Sequence, residues 1–424
     1  MTKTLSFFTT PQLTRLHTGK VRDSYRINPQ TRLIAVSDRL SAFDFVLETP
    51  IPNKGAVLNS LASWWFQQTQ HLVPNHFIQQ IDPNITLVKE AEPIRVEMVV
   101  RGYLSGSVWR GYQEGERTFS GVTLPVGLVK HARFDQPIVT PTTKEKNDRP
   151  ISAEELVNEG FVTTEHYLEM HQKALLLYQF GQRLLEERGI ILVDTKYEFG
   201  LLNGEIILID EIHTPDSSRF WSKEDYQANP ENARQIDKEY VRQWLIANKI
   251  DGEYPTALPQ EVIEEAAKRY IELYEKVTGQ TFDAQSAIHP KARICANLCH
   301  HQLIKDAAVA IVTDVKQALP FCEKAKEMFK RYDIFAEVRL IRKESEINLF
   351  LEDYNDSVEP AAVLFIEENY SEVMEEISAY SNLPIITSPL DDLTLTENLY
   401  IDIQDILRCL NVYRIRESLI YGEE

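Results

Sequence analysis

The stretch Val193-Asp194-Thr195-Lys196-Tyr197-Glu198-Phe199 alternates charged with uncharged side chains. In an extended chain successive side chains point to opposite faces. Asp194, Lys196 and Glu198 therefore share one face, with Val193, Thr195, Tyr197 and Phe199 on the other. The surrounding residues read as a hairpin: GIILVDTKYEFG, then LLNG, then EIILIDE, whose second strand ends in Asp210-Glu211. Two or more carboxylates with a lysine on one sheet face suit a Mg²⁺–nucleotide site, because Mg²⁺ takes hard oxygen ligands from a few carboxylates plus phosphate. The same alternation also fits an ordinary solvated sheet face. Register matters to the first reading. A two-residue Asn203-Gly204 loop sets Glu198 opposite Ile209 and sends Asp210 to the other face. The expectation is therefore a three-residue loop, Asn203-Gly204-Glu205, or an equivalent bulge that sets Glu198 opposite Asp210.

Three further stretches carry candidate chemistry. In His17-Thr18-Gly19-Lys20-Val21-Arg22-Asp23, a glycine followed by alternating basic residues can lay backbone N–H groups and Lys20 against phosphates, although it is neither a Walker loop nor a GxGxxG motif. The strand RVEMVV runs into Arg101-Gly102-Tyr103-Leu104-Ser105-Gly106-Ser107, where Arg101 and Ser107 could bind an anion through fork geometry and hydroxyl. The polar loop Asp210-Glu211-Ile212-His213-Thr214-Pro215-Asp216-Ser217-Ser218-Arg219 closes on a further arginine. Read singly, each is equally an ordinary turn or surface loop.

The elements that must hold these residues follow from periodicity. LIAVSD (33–38), ITLVKE (85–90) and RVEMVV (95–100) read as strands, and VLNSLASWWFQQTQHL (57–72) has helical spacing. Residues 164–188 form a long helix stopped by Gly189, and 260–278 a second, stopped by Gly279. After residue 305 the rhythm becomes strand–helix–strand: 308–314, 336–342, 361–368 and 383–389 as strands, with helices near 318–331 and 370–380. This implies a smaller α/β domain with a parallel sheet. The domain boundary is expected between 280 and 306. A chain of 424 residues with net charge −19 and four cysteines suits a multidomain protein of a reducing cytoplasm, without disulfides or nucleic-acid binding. No long apolar run suggests a membrane span. His289, Cys295, Cys299, His300 and His301 lack the paired spacing of a closed zinc site and are expected to be incidental.

Together VRGYLSGS (100–107), LVDTKYEFG (192–200), DEIHTPDSSRFW (210–221), SDRLSAFD (37–44) and HTGKVRD (17–23), in that family's order, resemble SAICAR synthetase, phosphoribosylaminoimidazole-succinocarboxamide synthase, over roughly residues 10–280. The resemblance implies a two-lobed α+β domain: a β-rich lobe over residues 1–110 and an α/β lobe over 111–280, with ATP between them. It implies a ligase that phosphorylates carboxyaminoimidazole ribotide and lets the amine of L-aspartate displace the phosphate. Carried over residue by residue, Gly19, Lys20 and Arg22 belong to the phosphate loop, and Glu92 and Ile94 border adenine. Lys144 in TPTTKEKND adds to the nucleotide site. Glu198 and Asp210 hold Mg²⁺. Asp38, Ser41, Arg101, Ser107, Asp148 and Arg219 contact substrate, while Asp194 and Lys196 face the aspartate or the reacting carboxylate. The family pattern has His-Asp where this chain has Asn147-Asp148, so no role is assigned to Asn147.

Residues 306–424, after a linker over 281–305, resemble the aminoimidazole ribotide carboxylase (mutase) fold with its functional turns overwritten. Acidic residues Asp314, Glu344, Glu367 and Glu368 stand where that family carries phosphate-binding turns and a histidine. A non-catalytic domain serving structure or self-association is expected. A kinase-like phosphotransferase and a catalytically silent binding module are the competing readings of the whole chain.

Overall fold

In the computed structural model the described residues are 4–8, 13–43, 45–145, 148–233, 235, 239–250, 252–283, 290–304, 307–312, 336–341, 361–365 and 385–387. The chain divides into two units: Met1–Phe7 with Arg15–Ala284, and Phe8–Thr14 with Gln285–Glu424.

The first unit is built on two antiparallel sheets. The smaller runs in the order Thr14–Thr18, Arg22–Asn28, Thr31–Val36, Ile85–Lys89, Phe77–Asp82. The larger has the order Arg133–Val139, Glu92–Tyr103, Ile190–Leu202, Glu205–Ile209, with Thr142–Thr143 added to Glu92–Tyr103 and Ser218–Ser222 added to Ile190–Leu202. The strand containing RVEMVV thus pairs with the later hairpin and belongs to the larger sheet.

Period-2 patterning sets the faces of the central strand. Val193, Thr195, Tyr197 and Phe199 are fully buried, whereas Asp194, Lys196 and Glu198 line an open cavity. The helix Thr164–Glu187 covers the sheet, burying Met170, Ala174, Leu177, Tyr178, Gly181 and Leu185 at helical spacing. Its first turn is capped by Thr163, whose hydroxyl accepts the His166 N–H at 3.1 Å. Helices Lys54–Thr69 and Gln260–Thr278 pack on one another, and both contribute to the core formed with Tyr197, Phe199 and Leu192.

The hairpin corrects the expected register. Leu202 pairs with Glu205 and Glu198 with Ile209, so the loop is the two-residue Asn203-Gly204 with no bulge. Both loop residues have positive φ, 52° and 85°, as a type I′ turn demands. That local turn preference outweighs any demand from the carboxylates.

In the second unit, helix Pro290–His300 precedes four parallel strands in the order Ala336–Ile341, Ala307–Val312, Ala361–Phe365, Ile385–Thr387. The expected helices near 318–331 and 370–380, and the positions Asp314, Glu344, Glu367 and Glu368, lie outside the described residues. So does Asn147. Among the described residues no helix is long and apolar enough to cross a membrane. Cys295 and Cys299 stand four apart on Pro290–His300, and no disulfide joins them.

Candidate active site

Pairing of Glu92–Tyr103 with Ile190–Leu202 sets Arg101 opposite Asp194, Val99 opposite Lys196 and Glu97 opposite Glu198. Because cross-strand partners share a face, these side chains form one polar patch. Ser218–Ser222 pairs on the other side of the central strand and sets Arg219 opposite Asp194. Asp194 therefore lies between two arginines. Its Oδ2 is 3.8 Å from Arg101 Nη1 and 3.4 Å from Arg219 Nη1, and it accepts the Ser105 hydroxyl at 3.1 Å. The Arg219 guanidinium also donates to Ser105 Oγ at 3.1 Å.

Gly106 makes room for this arrangement. At φ 61° it opens helix Gly106–Gln113, and a Cβ there would lie 2.3 Å from Arg219 Nη1. Arg101, Asp194, Lys196 and Arg219, with Ser107, Asp216, Ser217 and Arg242, line a cavity of about 350 Å³. Burial lowers the Arg101 guanidinium, and Asp194 offsets this only in part while Arg219 adds to it. A buried and a half-buried cation with one carboxylate between them gain from an incoming anion.

A second cavity, of about 330 Å³, is bounded by Ile34, Ala91, Pro93, Ile94 and Ile209, with Arg22, Lys89, Arg95 and Lys144 at its edge. It takes walls from both sheets. An apolar slot with a cationic rim suits a flat aromatic base followed by phosphates.

The two cavities share Glu198 and Asp210. Flat continuation of the hairpin sends Asp210 to the far face, but Asp210 leaves the ladder in the left-handed region at φ 66°, and its carboxyl interacts with that of Glu198 by hydrogen bond and charge. The backbone twist after the last strand residue, and not an odd loop, brings the two together. Burial first, then Asp210, pushes the Glu198 carboxyl up to about 8, with Lys144 opposing. Burial acts the same way on Asp210, but Arg22 and Lys144 prevail and hold it below the usual range. Arg22 reaches Asp210 at 3.6 Å and bonds Glu211 closely, and Lys144 bonds Glu198 closely. Two adjacent, partly buried carboxylates that draw in nearby cations have the donor chemistry of a Mg²⁺ site completed by phosphate oxygens. Among the described residues no group of three or more Asp, Glu, His and Cys could hold a metal by itself.

Other residues selected from sequence are placed apart. Gly19 and Lys20 line neither cavity; the Gly19 N–H donates to the Arg22 carbonyl at 2.7 Å, closing the turn that presents Arg22. Glu92 lines a neighbouring cavity next to Ile94. Asp38 is 2 % exposed, and its carboxylate accepts the N–H groups of Leu5 and Gly55 at 2.7 and 2.8 Å. Ser41 lines neither cavity. Asp148 stands 3.9 Å from Lys196 Nζ, at the margin of the polar patch.

Several lining residues were not selected from sequence, among them Glu97, Asp216, Ser217, Ser218 and Arg242. Glu97 pairs with Lys196 at 2.6 Å; its alternation with Val99 and Arg101 was the available signal. Asp216, Ser217 and Ser218 were visible in the loop motif but carried no distinguishing spacing. Arg242 arrives on helix Glu239–Ala247, and no local pattern links it to the site.

The chain is similar to known proteins. The SAICAR synthetase family profile matches residues 15–257. The chain is 44 % identical over 296 residues to a phosphoribosylaminoimidazole-succinocarboxamide synthase of Azobacteroides pseudotrichonymphae, covering 68 % of this chain and 92 % of that one. It is 46 % identical over 297 residues to the protein of the same name from Legionella pneumophila strain Lens, covering 66 % and 94 %. Among solved structures, a SAICAR synthase from Saccharomyces cerevisiae complexed with SAICAR superposes with a TM-score of 0.58 at 34 % identity, over 64 % of this chain and 96 % of that one. A type-2 SAICAR synthetase in complex with ADP gives 0.51 at 25 % identity, over 63 % and 99 %. With this sheet pairing, these two cavities and these relatives, the chain belongs to the SAICAR synthetase family.

Proposed function

We propose that the chain is an ATP-dependent carbon–nitrogen ligase of purine biosynthesis that joins L-aspartate to carboxyaminoimidazole ribotide. The observation that carries this reading is the shared wall: Glu198 and Asp210 border both an apolar, cation-rimmed cavity and an arginine-lined one. ATP lies in the first, its base against Ile94 and Ala91 and its phosphates toward Arg22 and Lys144. The ribotide lies in the second, its anionic groups on Arg101, Ser107 and Arg219.

The chemistry then requires little covalent help from the protein. A carboxylate oxygen of the ribotide attacks the γ-phosphorus, and the bond to the ADP oxygen breaks. The aspartate amine attacks the resulting acyl carbon, loses a proton, and phosphate departs with the carboxylate oxygen it took. Lys196, held by Glu97 at 2.6 Å, faces the reacting carboxylate and offsets its charge. Asp194 holds the two arginines in place, and alignment with charge neutralisation supplies most of the acceleration. Glu198 and Asp210 would hold Mg²⁺, which neutralises phosphoryl charge when bound.

The test supplies ATP, Mg²⁺, L-aspartate and the carboxylated ribotide and follows succinocarboxamide and ADP. ADP release that strictly needs aspartate supports the ligase. Release without aspartate, with a stable phosphorylated product, supports the kinase-like alternative. The enzyme is assigned to the cytoplasm, with these small molecules as its partners.

Residues 306–424 we read as a degenerate relative of the aminoimidazole ribotide carboxylase (mutase) fold without catalysis of its own. The parallel strand order, with the first strand between the second and third, supports an α/β unit of doubly wound type. Carboxylation of aminoimidazole ribotide by the full chain would overturn the non-catalytic reading.

A further inference from the structure

The shared wall depends on Asp210 standing beside Glu198, yet Asp210 lies beyond the last ladder pair and in left-handed backbone. The ladder pairing of the hairpin does not extend to it. The reverse face of the same sheet supplies a tie. Tyr197, between Lys196 and Glu198 in the chain, is fully buried, and its hydroxyl is 2.5 Å from His213 Nε2. His213 belongs to the loop that carries Asp210, Glu211 and Asp216. It is fully buried as well, and its own φ is 49°.

The ring has a fitted seat. It meets Trp65 edge-on, centroids 4.6 Å apart at 88°, and rests against Gly181 of helix Thr164–Glu187, where a Cβ would lie 2.3 Å from His213 Cε1. A sheet residue flanked by cavity residues is thus bonded to a residue of the loop that carries the cavity residues Asp210, Glu211 and Asp216, through the buried side of the sheet.

We propose that His213 is a positioning residue which, through its hydrogen bond to Tyr197 and its seat between Trp65 and Gly181, holds Asp210 beside Glu198 and so presets the carboxylate pair for a divalent cation carried by the nucleotide. The proposal rests on the reading of this wall as the nucleotide–metal site. It differs from general stabilisation in what it protects: cation binding, and not nucleotide or ribotide binding as such.

The test measures Mn²⁺ binding in the presence of ADP, by the electron paramagnetic resonance of free Mn²⁺, and ADP binding without divalent cation, by calorimetry. Tyr197→Phe removes the hydroxyl and keeps the ring. Outer partners of metal ligands typically contribute about 10- to 100-fold in affinity, so Mn²⁺ affinity is expected to fall at least about tenfold. ADP affinity without metal and the KM for ribotide should stay within about twofold, the scatter of unrelated sites. His213→Gln, which keeps a neutral hydrogen-bonding group, should lose less Mn²⁺ affinity than His213→Leu, which fills the seat without bonding. Mn²⁺ affinity unchanged in both Tyr197→Phe and His213→Leu overturns the proposal. Equal losses for Mn²⁺, ADP and ribotide do the same. If none of the variants folds, the pair serves stability and the positioning role is rejected. Wild-type protein that binds no Mn²⁺ with ADP would instead refute the nucleotide reading of the wall, a separable outcome.

Discussion

Substitution of Gly106 by alanine should damage ribotide binding through Arg219 and leave the nucleotide untouched. Gly106 has φ 61°, and the new Cβ would lie 2.3 and 2.5 Å from the two terminal nitrogens of Arg219. Two costs arise, and they fall on different measurements. Left-handed backbone costs an alanine roughly 1–2 kcal/mol in the free and bound protein alike. That cost appears as lower stability. The guanidinium must also move, because the contact is far inside van der Waals range, and moving it breaks its alignment with Asp194 at 3.4 Å and Ser105 at 3.1 Å. One displaced hydrogen bond to a charged ligand group is worth about 1.5–3 kcal/mol, which corresponds to about 10- to 150-fold in the dissociation constant. Calorimetric titration of the folded variant with ribotide and with ADP separates the two. The expected result is weakened ribotide and ADP within about twofold, since Arg219 lines only the arginine-rich cavity. Unchanged ribotide affinity would refute the role of Arg219, and parallel loss of ADP would show that the damage is global.

Arg101→Lys should likewise weaken ribotide binding, by about tenfold or more for the lost fork geometry, while sparing ATP; equal loss of ATP affinity reassigns Arg101 to the nucleotide. His76 is pushed down to about 3, chiefly by burial. The unfolded chain therefore takes up that proton first, near pH 6.5, and stability is lost as pH falls from about 6.5 to about 3, at up to about 1.4 kcal/mol per unit. Urea titrations should show a flatter pH dependence in His76→Gln than in the wild type over that window, and an unaltered slope would contradict the assignment. A chain ending at Asp283 tests the second unit. Retained ligation with lower stability or altered association state is expected, and a shortened enzyme equal to the full chain in activity, stability and assembly would remove any scaffold role.

The chemistry-bearing strand was readable because period-2 alternation separates Asp194, Lys196 and Glu198 from four buried neighbours, and the structure keeps that separation. The helices ending near Gly189 and Gly279 were readable from spacing and stop signals. The meeting of Glu198 with Asp210 was expected for the wrong reason. Ladder register is a local property and followed the Asn203-Gly204 turn, but the left-handed step at Asp210 depends on the loop's burial beneath it. Nothing in a one-dimensional pattern announces that step. Asp38 is a different case: its carboxylate accepts backbone N–H groups of Leu5 and Gly55, contacts that no spacing within its motif announces. Arg242 was invisible because its helix reaches the cavity from a distant part of the chain.

The central claim is that the ribotide carboxylate is activated by phosphoryl transfer in one cleft and then attacked by aspartate. Labelling the ribotide carboxylate with ¹⁸O and analysing the phosphate released by mass spectrometry tests it directly. The account predicts one labelled oxygen in the phosphate for each succinocarboxamide formed, and no labelled phosphate when aspartate is withheld. Amide formation accompanied by unlabelled phosphate would contradict it.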